Sequence, residues 1–530
     1  MELCDKYLHD YFKINPTIND FFCKNEWLYK RHIQPNIYSE SYYKSILDLN
    51  KRYKKILENI NNKTFHDKLL LRIVNYEIHM EEAYEIYMYM PVDCMDNILY
   101  EYVTECSGNG YYLFTDKQSF TDFIKRLSSL DDITNEIIKK MKHGIQKKIT
   151  LYYRVVDSMI DMIQLILKHK SYEYNKGNIK TKGNIKYSVK KHFDEHVDKY
   201  LVKNLQKFLD FLLNEYYQHA SKTFGLHSVK GGKHAYNTIV QHETMKGCTP
   251  ELIHKCGLRE LKRLQKKIQK LQTKLHVPSI ETYIKQNKSF YYSSKKEIIN
   301  DLKKIRKDIK TSIFPKLFHD SCNDYDIKSV PPEKDVDFAY YMPSDLCNKK
   351  RGTFFINTSN PEKVNKHEMY VLSLHEGLPG HHYELEYHRK HKIPDYFKYF
   401  GYNSYSEGWG LYCENLGVYK HDIKYYYKLH YEMQRVLRLI IDTAIHWYGW
   451  DYDRCFQLMK DNLTYGDDHI HNELVRYISM PGQAVTYKIG EKTILYLRKH
   501  FLDHGYSLKY FHKYIMDIGP CPLDTMLEII

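Results

Sequence analysis

The stretch Leu258–Leu275, LRELKRLQKKIQKLQTKL, sets Leu261, Leu264, Ile268, Leu271 and Leu275 at alternating steps of three and four, with lysine and glutamine between. An α-helix gathers such positions onto one side, so one face is core and the other solvent. The pattern stops at Pro278, which makes this a structural amphipathic helix rather than an extended coiled coil. The same periodicity runs through residues 153–169 and 197–220, and the chain is expected to be mainly α. The best strand signal is Gly352 to Thr358, where Thr353, Phe354, Phe355, Ile356 and Asn357 are bounded by glycine and by Asn360-Pro361.

A glycine-punctuated stretch from Gly225 separates an N-terminal helical half, 1–224, from a C-terminal half, 225–530, within what reads as one continuous domain. The pentapeptide KGNIK occurs twice, from Lys176 and from Lys182, and is expected to form an exposed basic loop.

Lysine and arginine exceed aspartate and glutamate by 80 − 66 = 14, but the surplus is scattered and forms no nucleic-acid-binding module, so no specific nucleic-acid partner is expected. The eleven cysteines are never paired as C-x-x-C, which predicts reduced thiols in a cytosol-like compartment. The N-terminus lacks the apolar core of a signal peptide, and no uncharged apolar run is long enough to cross a bilayer. These features predict a cytoplasmic protein with no membrane partner.

Against this background, LSLHEGLPGHHYELEYHRK (Leu372–Lys390) stands out. Two histidines four apart on a helix lie about 40° apart in projection and can share one ion. Here Pro379 occupies the fourth step. On an unbroken helix His381 would lie about 120° from His375, and His382 about 10.5 Å along the axis. Pro379 cannot donate to the carbonyl of His375 and its ring clashes there, so the helix must break. A break would return either His381 or His382 to His375, and spacing alone does not choose between them.

A catalytic zinc needs three protein ligands and an open position. Glu407, in NSYSEGWGLYCENLG, is the natural third, and Glu414 lies seven residues on, on nearly the same face, placed to orient a histidine. Glu376, beside a ligand but pointing off it, is the expected general base. Arg438, Asp442 and His446 form a polar stripe on an apolar helix, read equally well as a structural stripe or as a route for His446 to donate to a transition state. Arg476, Tyr487 and Lys488 flank a Pro-Gly turn and offer a phenol for an oxyanion and cations for a substrate carboxylate.

The segments HEGLPGHH, SEGWGLYCENLG, RLIIDTAIHWYGW and RYISMPGQAVTYKIG, in that order, resemble the large and mainly bacterial family called domain of unknown function 885. The upstream stretches GGKHAYNTIVQHETMKGCTPELIHKCGL and AYYMPSDLCNKKRGTFFINTSNP are similar to it as well, and the likeness weakens toward the N-terminus. The KGNIK insertion, and a shorter, more polar stretch before the histidine motif, depart from the family pattern. The resemblance implies a mostly helical domain similar to zincin metallopeptidases of the oligopeptidase and thermostable-carboxypeptidase type, with a small sheet beside the active-site helix. It implies metal positions at His375, at His381 or His382, and at Glu407, with Glu376 as base and Arg438, His446 and Tyr487 as further motif residues.

The expectation is therefore a zinc-dependent peptidase, holding about one zinc per chain, that hydrolyses short peptides. Phe354, Phe355 and Asn357 would pair with the peptide as an added strand, and Arg438 and Arg476 would bind its charge. The alternatives are a catalytically silent scaffold used for binding, or hydrolysis of a non-peptide amide or ester.

Overall fold

The computed structural model describes residues 2–174, 187–330, 338–344, 351–391 and 393–528; the KGNIK insertion lies outside them. The chain is mainly α, with one three-stranded sheet among the described residues. It divides into two compact units, Met1–Thr238 with Ile478–Met480, and Ile239–Tyr477 with Pro481–Ile530.

The first unit is helical. The periodic segment 153–169 is the helix Tyr153–His169, which buries Val155, Val156, Met159, Ile160, Ile163 and Ile166. Glu40–Glu58 packs on Phe65–His79, and the latter starts with a capping box in which Thr64 and Asp67 satisfy each other's backbone N–H. Phe114, Phe120 and Phe193 meet at ring centroid distances of 4.7–5.3 Å and fill a satellite core.

The second unit carries the sheet and the histidine motif. Helix α1 (Pro250–Leu275) begins at Thr249, whose side chain accepts from Leu252 N–H, with Pro250 in the first turn where its missing donor costs nothing. Next come α2 (Lys295–Asp308), β1 (Asp326–Ser329), β2 (Ala339–Met342) and β3 (Thr353–Ile356). They are followed by α3 (Met369–Glu376), α4 (His381–Lys390), α5 (Asn403–Glu414), α6 (Asp422–Thr443), α7 (Asp467–Ser479) and α8 (Thr486–Asp503). Helix α6 is the central post, buried at every residue from Lys428 to Thr443.

Close helix crossings are set by glycine. A Cβ at Gly257 of α1 would lie 2.7 Å from Ile440 Cγ1 of α6. A Cβ at Gly408 of α5 would lie 2.5 Å from the Cα of Gly490 of α8, and one at Gly490 only 2.0 Å from the Ser404 carbonyl oxygen. The α5–α8 contact, which fixes Glu407, is thus backbone on backbone.

The sheet order is β1-β3-β2, with β1 parallel and β2 antiparallel to β3. The predicted strand exists, but it is central. Both its edges are taken, so it cannot accept a peptide by edge pairing. Phe354 is fully buried, Phe355 stacks on Tyr340 at 4.9 Å, and the Asn357 side chain accepts from the N–H and hydroxyl of Ser359. The free edges belong to β1 and β2 among the described residues.

No helix among the described residues is long and apolar enough to cross a membrane. The expectation of thiols throughout needs one correction. Cys23 is disulfide-bonded, whereas Cys4, Cys94, Cys106, Cys248, Cys256, Cys322, Cys413, Cys455 and Cys521 are free.

Candidate metal centre

Helix α3 ends at Glu376 and α4 starts at His381, with the Leu378–Pro379 peptide cis between them. Pro379 cannot continue the helix, and the turn is too tight for any side chain at its glycines. A Cβ at Gly380 would lie 1.8 Å from the His375 carbonyl oxygen, and one at Gly377 would lie 2.2 Å from Tyr325 Oη. Trp409 Nε1–H of α5 donates to the Pro379 carbonyl at 2.9 Å and pins the turn. The break swings His381 onto His375, their rings 4.8 Å apart and perpendicular.

His375, His381 and Glu407 each offer a ligand atom, and these atoms lie within 4.8 Å of one another. His375 Nε2 and His381 Nε2 stand 3.5 and 3.6 Å from Glu407 Oε2. That oxygen is buried and makes no hydrogen bond, although two imidazoles face it. Each imidazole is backed by a carboxylate on its other nitrogen: His375 Nδ1 by Glu414 Oε1 at 2.9 Å, and His381 Nδ1 by Glu384 Oε2 at 3.6 Å. A buried imidazole, a half-buried imidazole and a half-buried carboxylate converging on one gap, each imidazole with a carboxylate behind it, fit a tetrahedral divalent ion such as zinc with a side open to solvent.

One helix face organises this. Glu407, Gly410 and Glu414 follow one another on α5 at steps of three and four. Gly410 faces the His375 ring, where a Cβ would come within 2.8 Å of Cε1. Ser406 Oγ donates to Glu384 Oε1, tying the second carboxylate to the same helix.

The electrostatics are those of a desolvated, tightly paired cluster. Burial pulls the His375 imidazole down, but Glu407 and Glu414 outweigh it and its pKa is raised. Burial likewise opposes His381, and Glu384 and Glu407 raise it well above the usual histidine value. Burial pushes Glu407 up, yet the two imidazoles hold it well below the usual carboxylate range. Glu376 moves the other way: burial raises it, against the pull of His375 and His381. Two neighbouring glutamates are thus driven apart, one kept ionised and one made more basic, the pattern expected of a ligand and a base. The carboxylates behind the imidazoles set ligand basicity, so Glu414→Gln and Glu384→Gln are each expected to weaken zinc affinity about 10–100-fold in a chelator competition assay.

The structure selects His381 and not His382 as the partner of His375. His382, one step on around α4, points away from the gap: its Nε2 donates to the Asn323 carbonyl at 2.7 Å and its Nδ1 accepts from Tyr341 Oη at 2.8 Å. Burial pushes its pKa down to about 4, so it is a neutral structural link to β2. His446 Nε2 donates to the Tyr477 carbonyl at 2.9 Å, and Asp442 accepts from Gly482 N–H at 3.1 Å. Lys488, offered as a cation for substrate, is instead buried between Glu432 and Glu491.

Arg438, Arg476 and Tyr487 do come together. The Arg438 guanidinium lies 4.4 Å from the Tyr487 ring centroid, and Arg476 donates to the Tyr487 hydroxyl at 3.2 Å. The group is joined to the histidines by a residue the sequence reading missed. Arg435 lies 5.8 Å from the Tyr487 ring, while its Nη2 is 4.0 Å from Glu414 Oε1. Glu384 was missed too; its signal was its place three residues after His381.

Two solved structures share the fold. One, described as "the putative lipoprotein from Colwellia psychrerythraea", superimposes with a TM-score of 0.85 at 18% identity, covering 99% of this chain and 97% of its own. The other, "a putative lipoprotein of unknown function from Shewanella oneidensis", gives 0.76 at 14% identity, covering 99% and 98%. No curated protein sequence matches the chain. Residues 29–530 match the family described as "Bacterial protein of unknown function (DUF885)", and the chain belongs to that family.

Proposed function

We propose that the protein is a zinc-dependent peptidase acting on short peptides. The observation that carries this reading is the convergence of His375, His381 and Glu407 on one gap, with Glu376 directly following a ligand. A zinc ion held by those three residues would supply Lewis acidity, acidifying a water and polarising a carbonyl. Glu376 accepts the proton of the attacking water and returns it to the leaving amine, a role its upward-shifted pKa suits. Glu414, accepting from His375 Nδ1–H at 2.9 Å, holds that imidazole in the tautomer that presents Nε2, and Glu384 stands 3.6 Å behind His381 Nδ1 as its counter-charge.

Tyr487, whose hydroxyl is held by Arg476, is the phenol we assign to the developing oxyanion. An extended peptide would add to the open edge of β2, the strand that packs beside α3. The test is incubation of the zinc-loaded protein with a mixed library of short peptides, read by mass spectrometry. Cleavage is expected, abolished by a strong chelator and restored by zinc. A zinc-loaded, folded protein that leaves every peptide intact would point to the binding scaffold or to a non-peptide substrate.

A further inference from the structure

Three guanidinium groups meet around one tyrosine ring with too little negative charge to balance them. Arg435 and Arg438 are 7% and 4% exposed, and Arg476 keeps 26% of its side chain accessible and gives the cluster its opening to solvent. Glu473 serves two of them, accepting from Arg438 Nη2 at 2.9 Å and standing 3.7 Å from Arg476 Nη1. Arg435 Nη1 donates to the neutral Gln434 Oε1 at 2.8 Å, and among the described residues its one carboxylate is Glu414, at 4.0 Å and already engaged by His375.

Arg435 Nε, Arg438 Nη1 and Arg476 Nε are buried donors that find no hydrogen-bond partner among the described residues. Burying a guanidinium with unmet donors is costly unless an anion completes it, and planar forked donors match a carboxylate.

Building on the peptidase reading above, we infer that Arg435, Arg438 and Arg476 form a carboxylate-binding subsite beside the metal centre that takes the free C-terminal carboxylate of the peptide. The cluster joins the histidines through contacts already described, Glu414 touching both His375 and Arg435. A substrate anchored there by its C-terminus presents a bond near that end, which makes the enzyme a carboxypeptidase or a peptidyl-dipeptidase. An aspartate or glutamate side chain offers the same chemistry, and the test separates the two sources.

The experiment is calorimetric binding to the zinc-loaded Glu376→Gln protein, which needs no turnover. The probes are tetra-alanine as the free acid, its C-terminal amide, and an amidated tetrapeptide carrying one glutamate. The free acid is expected to bind at least about tenfold more tightly than either amide. In Arg438→Lys, which keeps the charge and loses the fork, the free acid should lose most of that advantage while the alanine amide is unchanged. Equal binding of free acid and amide, or binding of none of the three, overturns the subsite. Equal binding of the free acid and the amidated glutamate peptide overturns the C-terminal assignment. If the free acid is preferred but no peptide is ever cut by the wild-type protein, the subsite stands and the peptidase reading falls.

Discussion

Replacing Glu376 with glutamine is expected to lower turnover about 10²–10⁴-fold while the protein still folds and still holds its metal, because removing a general base costs about that much. The side chain is not among the three convergent donors, so the substitution leaves the ligand set intact. Glutamine keeps the shape and loses the proton acceptor. The loss should fall on kcat rather than KM, since the proton is transferred in the transition state and not on binding. Steady-state kinetics on any peptide cleaved by the wild type, with zinc content measured on the same samples, decides it. Full activity in Glu376→Gln would place the base elsewhere.

The largest expected effect on stability lies behind α5. Lys488 is 2% exposed and sits between Glu432 Oε1, at 2.7 Å, and Glu491. Burial alone would lower the lysine, and the two carboxylates raise it instead. Lys428 and Arg263 also reach Glu432, whereas among the described residues Glu491 has in addition only Asn415 Nδ2, at 2.6 Å. Lys488→Met therefore strands a buried carboxylate next to another, a change expected to cost about 3–5 kcal/mol in urea unfolding. Pairing it with Glu491→Gln should recover much of that loss, since the stranded charge goes with it.

The variant should also depend less on pH, so that its deficit against the wild type shrinks as the solution is acidified. Burial pushes Glu432 up, but Lys488 and Lys428 hold its folded pKa well below its unfolded value. Such a group stabilises the fold above the unfolded carboxylate pKa, and that contribution is lost as pH falls through the folded pKa. Without Lys488 the folded pKa moves back up toward the unfolded value, so less of this stability is present at neutral pH and less remains to be lost in acid, where the wild type gives up the larger contribution. A stability gap between wild type and Lys488→Met that stays constant or widens from pH 7 to about pH 3 in urea unfolding would contradict this.

The helices were legible wherever one face is buried. Leu261, Leu264 and Leu271 line the buried side of α1 as their spacing requires, and the helix stops just before Pro278. The strand at Thr353–Ile356 was legible as a strand but not as a central one, because its partners are short and distant in sequence and β-propensity carries no information about position in a sheet. Pro379 announced the helix break. It did not announce which histidine the break delivers, since that depends on how the Gly377–Gly380 turn is clamped by Tyr325 and Trp409, neither of which the motif contains.

Glu407 and Glu414 were readable from their seven-residue spacing, which keeps both on one face of α5. Lys488 misled because a lysine beside a Pro-Gly turn looks exposed. Its buried partners Glu432 and Glu491 come from two helices, α6 and its own α8, and the first could not be seen without the fold. Arg435 was hidden for the same reason, being one polar residue in a helix whose every neighbour is buried.

The central claim is that His375, His381 and Glu407 hold one metal ion. Elemental mass spectrometry on the purified chain after zinc loading and exhaustive dialysis tests it most directly, beside His375→Ala, His381→Ala, Glu407→Ala and His382→Ala. The account predicts about one zinc per chain in the wild type and in His382→Ala, and its loss in the other three with the fold retained by circular dichroism. A folded wild-type chain that retains no metal, or zinc that departs with His382 and stays without His381, would contradict it.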